Sequence, residues 1–214
     1  MTITLHDVDQ GSDEWLELRD DMFTGGGADK LLQHSTKTKF VNGVSSNYAV
    51  SEITKFNGNF YTKRGHVLED EAIDIYQRIK KEIGIRLDSG RKVGFVTNSR
   101  YPGCGYSPDD LYADRTLEVK AFKKDLHLKL IAGDIPFKIL AQIHYGMLIC
   151  NVKLCDFIPY NPDFAKKRIV IDGELVDNPD YDPKKAFKII PIKYNPAIAA
   201  NFKRILTAER ATVK

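Results

Sequence analysis

A mixed α/β fold, a central sheet flanked by helices, is what this sequence predicts, and three observations predict it. Lys63 to Ile83 repeats apolar residues at helical spacing: Val67, Leu68, Ala72, Ile75, Tyr76, Ile79 and Ile83. A run of short apolar segments follows between Ile85 and Lys120, punctuated by glycine and aspartate. A second helical stretch, Pro136 to Cys150, then leads into the alternating segment Leu154 to Tyr160. Helices, then a strand meander, then helix and strand make a mixed sheet covered by helices. The chain has 214 residues and is 43% hydrophobic. That suits one domain spanning 1–214, with a core that needs no staples.

Each element has a local reason. Ser12-Asp13-Glu14 caps a short helix that runs to Arg19. Thr24 to Gln33 is a glycine-rich turn opening a helix at Ala28. Asn47 to Phe56 reads as a helix, and the long helix over Lys63 to Ile83 stops at Gly84. Strands are expected at Ile85–Leu87, Val93–Val96, Cys104–Ser107 and Thr116–Lys120. Lys123 to Ala132 is a basic helix or a loop. Arg168–Ile171 and Phe187–Ile192 are expected to extend the sheet, and Pro196–Thr212 closes the chain as a helix. The segment from Ala165 to Asp182 carries no assigned role.

Bulk properties narrow the setting. No apolar run reaches membrane-spanning length, and MTITLHDVDQ turns polar too soon for a signal peptide. Cys104, Cys150 and Cys155 form no CxxC pair and no zinc spacing, so a reducing, cytoplasmic compartment is expected. The net charge of +3 hides an asymmetry: residues 1–119 sum to −4 and residues 120–214 to +7. A basic second half suits a polyanionic partner, although a solvated lysine-rich surface gives the same count.

The chemistry concentrates in Ser107-Pro108-Asp109 and, eight residues further on, Leu117-Glu118-Val119-Lys120. Side chains alternate along a strand, so Glu118 and Lys120 share one face while Val119 points to the other. A carboxylate and an ammonium then stand side by side, and Asp109 can join from the preceding turn. Mg²⁺ takes few carboxylates and keeps several waters, which such a set supplies. The glycine-rich approach Gly103-Cys104-Gly105 lets a strand end come near a ligand. Glu69 lies at the edge of the apolar face of the long helix; a glutamate there is ordinarily a solvated acid. Gln142 can share a helix face with Lys138, and His144 reads as a structural histidine.

Taken in order, these residues resemble the lambda exonuclease / YqaJ viral recombinase family of PD-(D/E)XK nucleases. Gln10-Gly11-Ser12-Asp13-Glu14-Trp15-Leu16-Glu17-Leu18-Arg19 resembles the family's opening. Phe23-Thr24-Gly25 and Lys30-Leu31-Leu32 resemble the start of the following helix. Gly65-x3-Glu69-x2-Ala72-x3-Tyr76 resembles the helix that donates a carboxylate, and Ser107–Asp109 with Leu117–Lys120 resembles the catalytic core. Gln142-x-His144-x2-Met147-Leu148 and Cys155-Asp156-Phe157 resemble the next helix and strand. The resemblance spans residues 10–160. It implies a restriction-endonuclease-like core over 63–160, a helical N-terminal part over 1–62 and a C-terminal extension over 161–214.

The resemblance also implies roles. Asp109, Glu118 and the Val119 carbonyl would bind Mg²⁺, for which Mn²⁺ can substitute, with Glu69 supporting a second metal position or the water. Lys120 would orient the attacking water, and Gln142 would touch the reacting group or Lys120. Ser107 and Arg19 would contact phosphate, joined by Lys30, Lys123 and Lys124 on the DNA backbone. The implied activity is 5′→3′ degradation of linear duplex DNA, leaving 3′ single strands for a strand-annealing partner, by a homotrimeric ring with no membrane attachment. The chain departs from the family pattern at Met22 (an arginine that helps hold a 5′-phosphate), Gly26 (a serine), Asp110 (a glycine), Ala121-Phe122 (Cys-Pro) and Ile139 (a tyrosine). Lys30 or Lys37 can take over the phosphate contact. An endonuclease or flap nuclease on the same scaffold, or a non-catalytic DNA-end-binding module, fits the same residues.

Overall fold

Helices cover both faces of a four-stranded sheet, and the strand alternation decides which side chains meet which helix. The structure, a computed structural model, describes residues 2–20, 22–34, 40–41, 44–45, 60–85 and 93–208. Strand β1 (Ile3–His6) precedes α1 (Asp13–Arg19), and a 3₁₀ turn at Gly25–Gly27 leads into α2 (Ala28–His34). A two-residue pair, β2 (Phe40–Val41) and β3 (Val44–Ser45), comes before the long α3 (Phe60–Glu82). Then come β4 (Phe95–Asn98), β5 (Gly105–Tyr106), β6 (Asp110–Leu111) and β7 (Arg115–Lys120). Helices α4 (Lys124–Ile131) and α5 (Phe137–Cys150) cross over to β8 (Leu154–Pro159). The chain finishes with β9 (Arg168–Ile171), β10 (Glu174–Asp177), α6 (Pro183–Ala186), β11 (Ile190–Lys193) and α7 (Pro196–Ala208).

The central sheet has the order β11-β8-β7-β6. Strands β7 and β8 run parallel, with Glu118 beside Phe157 and Lys120 beside Pro159, while β6 and β11 are antiparallel to their neighbours. A second antiparallel sheet has the order β1-β4-β5. Leu117 and Val119 of β7 pack with Ile158, Tyr160 and the α3 residues Ala72 and Tyr76. Cys155 and Phe157 of β8 pack instead with Tyr145 and Ile149 of α5, in a larger core that takes in Leu31 of α2 and Phe202 of α7. Both faces of β7 are therefore covered, and Glu118 is buried at 1% exposure.

Local chemistry accounts for the ends of the elements. Ser12 caps α1 as expected, its hydroxyl accepting from the Trp15 N–H. Helix α5 is buried nearly all round, as its apolar composition requires, and stops at Asn151, which takes the left-handed conformation at φ +56°. Strand β4 begins two residues later than the apolar run suggests. Gly94 lies so close to the Val8 carbonyl that a β-carbon there would stand 1.8 Å from its oxygen. The basic segment after Lys123 is a helix, not a loop. Arg168–Ile171 is a strand but pairs only with β10, in a hairpin apart from the central sheet, so it does not extend that sheet. Ile190–Lys193 does extend it, against β8. The segment Ala165–Asp182 contains this hairpin, tied at its base by Asn178, whose amide donates to the carbonyls of Asp163 and Lys166. The helix expected over Asn47–Phe56 lies outside the described residues. So do Arg86 and Leu87 of the expected 85–87 strand, and Ile85 is irregular.

One buried network fastens α3 to the sheet. Asp156 Oδ2 accepts from Tyr76 Oη at 2.6 Å, Lys80 Nζ at 3.0 Å and Arg115 Nη1 at 3.0 Å. Tyr76 and Lys80 lie one turn apart on α3, so one carboxylate fixes the helix against β7 and β8. Among the described residues, no helix is long and apolar enough to cross a membrane.

Candidate active site

The acids and the lysine singled out in the sequence meet at the end of β7. Glu118 points to the α5 face, where its Oε1 accepts from Gln142 Nε2 at 2.6 Å and pairs with the Lys120 ammonium. Strand alternation puts Lys120 on the same face, as expected. Asp109, on the turn before β6, reaches the edge of β7, its Oδ2 accepting from the Val119 N–H at 2.6 Å. A residue's N–H and C=O leave a strand on the same edge. The Val119 carbonyl therefore faces the Asp109 side, and the Lys120 carbonyl, which accepts from Tyr160 N–H, faces β8. Glu69, half-buried on α3, is close enough for its charge to act on both Asp109 and Lys120.

The electrostatics follow from this crowding. Burial first, then repulsion from Glu118, holds the Asp109 carboxyl well above the ordinary carboxylate range; Lys120 and the Val119 N–H offset part of this. Burial pulls the Lys120 ammonium down, but Glu118, Asp109 and Glu69 together outweigh it and keep the lysine firmly protonated.

One residue of the site was not foreseen. Tyr106, buried in β5, donates its hydroxyl to Glu118 Oε2. Burial, then the Glu118 charge, raises its pKa well above the phenol range, so it stays a donor. Two glycines make room for its ring. A β-carbon on Gly25 would lie 2.9 Å from Tyr106 Cε2, and one on Gly146 would lie 2.4 Å from its Cζ. Gly25 belongs to the glycine-rich turn and Gly146 to the middle of α5, so three distant pieces of chain share this contact. The only local hint is the glycine inside a helix pattern, which marks close packing.

The turn that carries Asp109 is buttressed by the N-terminal segment. Gln10 Nε2 donates to the Pro108 carbonyl at 2.9 Å. Ser107 Oγ accepts from Trp15 Nε1 at 3.0 Å and from Arg19 Nη1 at 3.1 Å. The Arg19 guanidinium lies 3.9 Å from the centre of the Trp15 ring, and burial lowers its pKa to about 10, which leaves it charged at neutral pH. Ser107 thus stands two residues before Asp109, with Arg19 bonded to its hydroxyl. The other predicted backbone contacts belong to α2 and to the start of α4. Lys30 is exposed on α2, Lys123 precedes the first turn of α4, and Lys124 pairs with Asp180 at 2.6 Å. Met22 is partly buried and Gly26 exposed in its 3₁₀ turn; Lys37 lies outside the described residues. His144 is buried in α5, as a structural histidine would be.

Among the described residues no three His, Cys, Asp or Glu side chains form a ready-made metal centre. The donor chemistry nevertheless fits a hard divalent cation. Asp109, Glu118 and the Val119 carbonyl supply oxygen donors, and a cation would relieve the buried Asp109 carboxyl, which burial and then the Glu118 charge hold well above its ordinary range. Glu118 already receives three donors, Tyr106, Gln142 and Lys120. A carboxylate has about four lone-pair sites, so one stays open for a ligand bond.

Neither a family model nor a curated protein matches the chain. Solved structures do. An alkaline exonuclease from Laribacter hongkongensis, LHK-Exo, has a TM-score of 0.65 and 21% identity, over 94% of this chain and 92% of that one. LHK-Exo in complex with dAMP gives 0.64 at the same identity and coverage. A phage-related exonuclease from Haemophilus somnus 129PT gives 0.52 at 14% identity, over 89% and 92% of the two chains. These likenesses show the fold.

Proposed function

We propose that this protein is a Mg²⁺-dependent exonuclease of the PD-(D/E)XK type that degrades linear double-stranded DNA. The observation that carries this reading is the convergence of Asp109, Glu118 and Lys120 at one end of β7, in a fold like that of alkaline exonucleases. Asp109, Glu118 and the Val119 carbonyl hold the ion, and Mn²⁺ replaces it. A bound Mg²⁺ supplies an acidified water and a clamp on the phosphoryl oxygens. Lys120 orients the water and steadies negative charge growing on the scissile phosphate, acting on the transition state more than on the bound substrate. Gln142 and Tyr106 hold Glu118 in one orientation. Glu69 sets the field around Lys120 and the water. Arg19 and Ser107 position a phosphate of the strand, beside Asp109.

The strand polarity is 5′→3′, and the product is a 3′ single strand for an annealing partner. The working form is a ring of three chains in the cytoplasm. The decisive experiment is Mg²⁺-dependent degradation of linear duplex DNA carrying a 5′-phosphate or a 5′-hydroxyl, beside a closed circle. Loss of the linear DNA alone supports the exonuclease, and the phosphate comparison shows what Met22 does to end recognition. Cleavage of the circle replaces this reading with an endonuclease. Binding without cleavage of any substrate replaces it with a DNA-end-binding module.

A further inference from the structure

A second basic cluster lies at the other end of the sheet. A surface cavity of about 90 Å³ is lined by Arg100, Asn151, Lys153, Tyr194 and Lys203, with Met147 among its apolar walls. Lys153 and Tyr194 are held together by main chain, the Tyr194 N–H donating to the Lys153 carbonyl at 2.9 Å. The Lys153 ammonium is 3.7 Å from the centre of the Tyr194 ring, and that of Lys203 is 5.9 Å from it. Two like charges therefore lie near one aromatic ring, and no carboxylate lines the cavity. Cations gathered around one cavity attract an anion to it. The Tyr194 hydroxyl is buried and has no hydrogen-bond partner among the described residues.

We propose that this cavity is a phosphate-binding site separate from the carboxylate centre. Lys153, Lys203 and Arg100 supply the charge. The volume has room for one phosphate group, and the cavity opens to the surface. The ligand is therefore a free phosphate or one phosphate of a strand whose remainder lies outside. The second source rests on the nucleic-acid reading above; the phosphate chemistry does not. Residue Leu154 pairs with Arg115 and Pro159 with Lys120, so the cavity lies a strand length from Lys120. That is roughly 17–20 Å at about 3.3 Å per residue, or about five to six nucleotides of one strand. A strand engaged at the carboxylate centre can thus reach it.

The test uses the full chain in EDTA, comparing wild type with Lys153→Met/Lys203→Met, which keeps the aliphatic stems and removes both charges. A labelled single-stranded 12-mer is titrated across a salt series, and inorganic phosphate is followed by its effect on Tm. The expected result is about tenfold weaker DNA binding, a log–log salt slope shallower by about 0.7, and loss of the phosphate-induced rise in Tm. Loss of the phosphate effect with unchanged DNA binding assigns the site to free phosphate and overturns the strand. No change in either overturns the site. If the double variant fails to fold, the single variants Lys153→Met and Lys203→Met replace it: each should lower phosphate affinity about threefold, and unchanged affinity in both counts against the site. Cleavage is not read in EDTA, so a protein without nuclease activity would leave these outcomes intact.

Discussion

Asp156→Asn is expected to be among the most damaging single substitutions outside the carboxylate centre. The native carboxylate accepts from Tyr76, Lys80 and Arg115 within 2.6–3.0 Å, at a position 1% exposed. Asparagine keeps the shape but removes the charge, leaving the nearly buried Lys80 ammonium and the Arg115 guanidinium without their shared counter-ion. Breaking a buried pair from one side costs about 3–5 kcal/mol. For a chain of this size each kcal/mol moves Tm by about 2–4 °C, so a fall of roughly 6–20 °C at neutral pH follows. The pH dependence has a definite sign. Burial raises the Asp156 pKa, but Tyr76, Lys80 and Arg115 outweigh it, and the net shift is downward. Its contribution is therefore fully present above the unfolded pKa of about 3.9 and is lost as pH falls through the lower folded value. The gap between wild type and variant should be wide at pH 7 and close in acid. Urea titrations at both pH values, with Lys80→Met as the partner in a double-mutant cycle, provide the assay. Removing Lys80 as well should recover part of the loss, because the stranded ammonium is gone. A single-variant loss under about 1 kcal/mol, or strict additivity with Lys80→Met, would refute the reasoning.

The other expectations concern the carboxylate centre. Lys120→Ala should abolish cleavage and keep DNA binding, since the lysine acts on the transition state; equal loss of both, measured by anisotropy beside cleavage, would contradict that. Glu118→Gln should shift the Mg²⁺ titration of activity to higher concentration, and an unchanged titration would count against Glu118 as a ligand. Gly146→Ala places a β-carbon 2.4 Å from the Tyr106 ring, so the ring must move off Glu118. A stability loss of about 1–3 kcal/mol, together with impaired cleavage, is expected from melting curves and activity on one preparation. Gly25→Ala, whose nearest approach is 2.9 Å, should do the same more mildly.

What was legible in the sequence follows the range of the interactions. Glu118 and Lys120 could be paired on one strand face because alternation is local, and the Ser12 cap and the long α3 were readable for the same reason. That Glu118 is buried was not readable: it depends on α5 closing a face of β7 that a lone strand leaves open. Tyr106 escaped notice because its partner is set by sheet and helix packing, and a tyrosine two residues before a Pro-Asp turn carries no mark of it. Strand β6 is two residues long and has no periodicity to detect. Arg168–Ile171 was recognisable as extended, but its apolar residues gave no sign that it would pair with β10 instead of the sheet. Gln142 was expected to share a face with Lys138 and to touch the reacting group or Lys120; its contact is with Glu118, two residues from Lys120 on the same strand.

Tyr106, Asp109, Glu118, Lys120 and Gln142 all fall between β5 and β8, on one unbroken length of chain. Its strands are joined by the crossover through α4 and α5, and β7 is flanked by β6 and β8. A local opening cannot free Glu118 or Lys120 without parting β7 from β8 and lifting α5. Amide exchange along β7 should therefore follow global unfolding, while the β9–β10 hairpin, with Val170 and Leu175 exposed and no sheet neighbour, exchanges through cheap fluctuations of its own. The centre is thus placed in the part of the molecule that opens last, and its geometry persists for as long as the protein is folded.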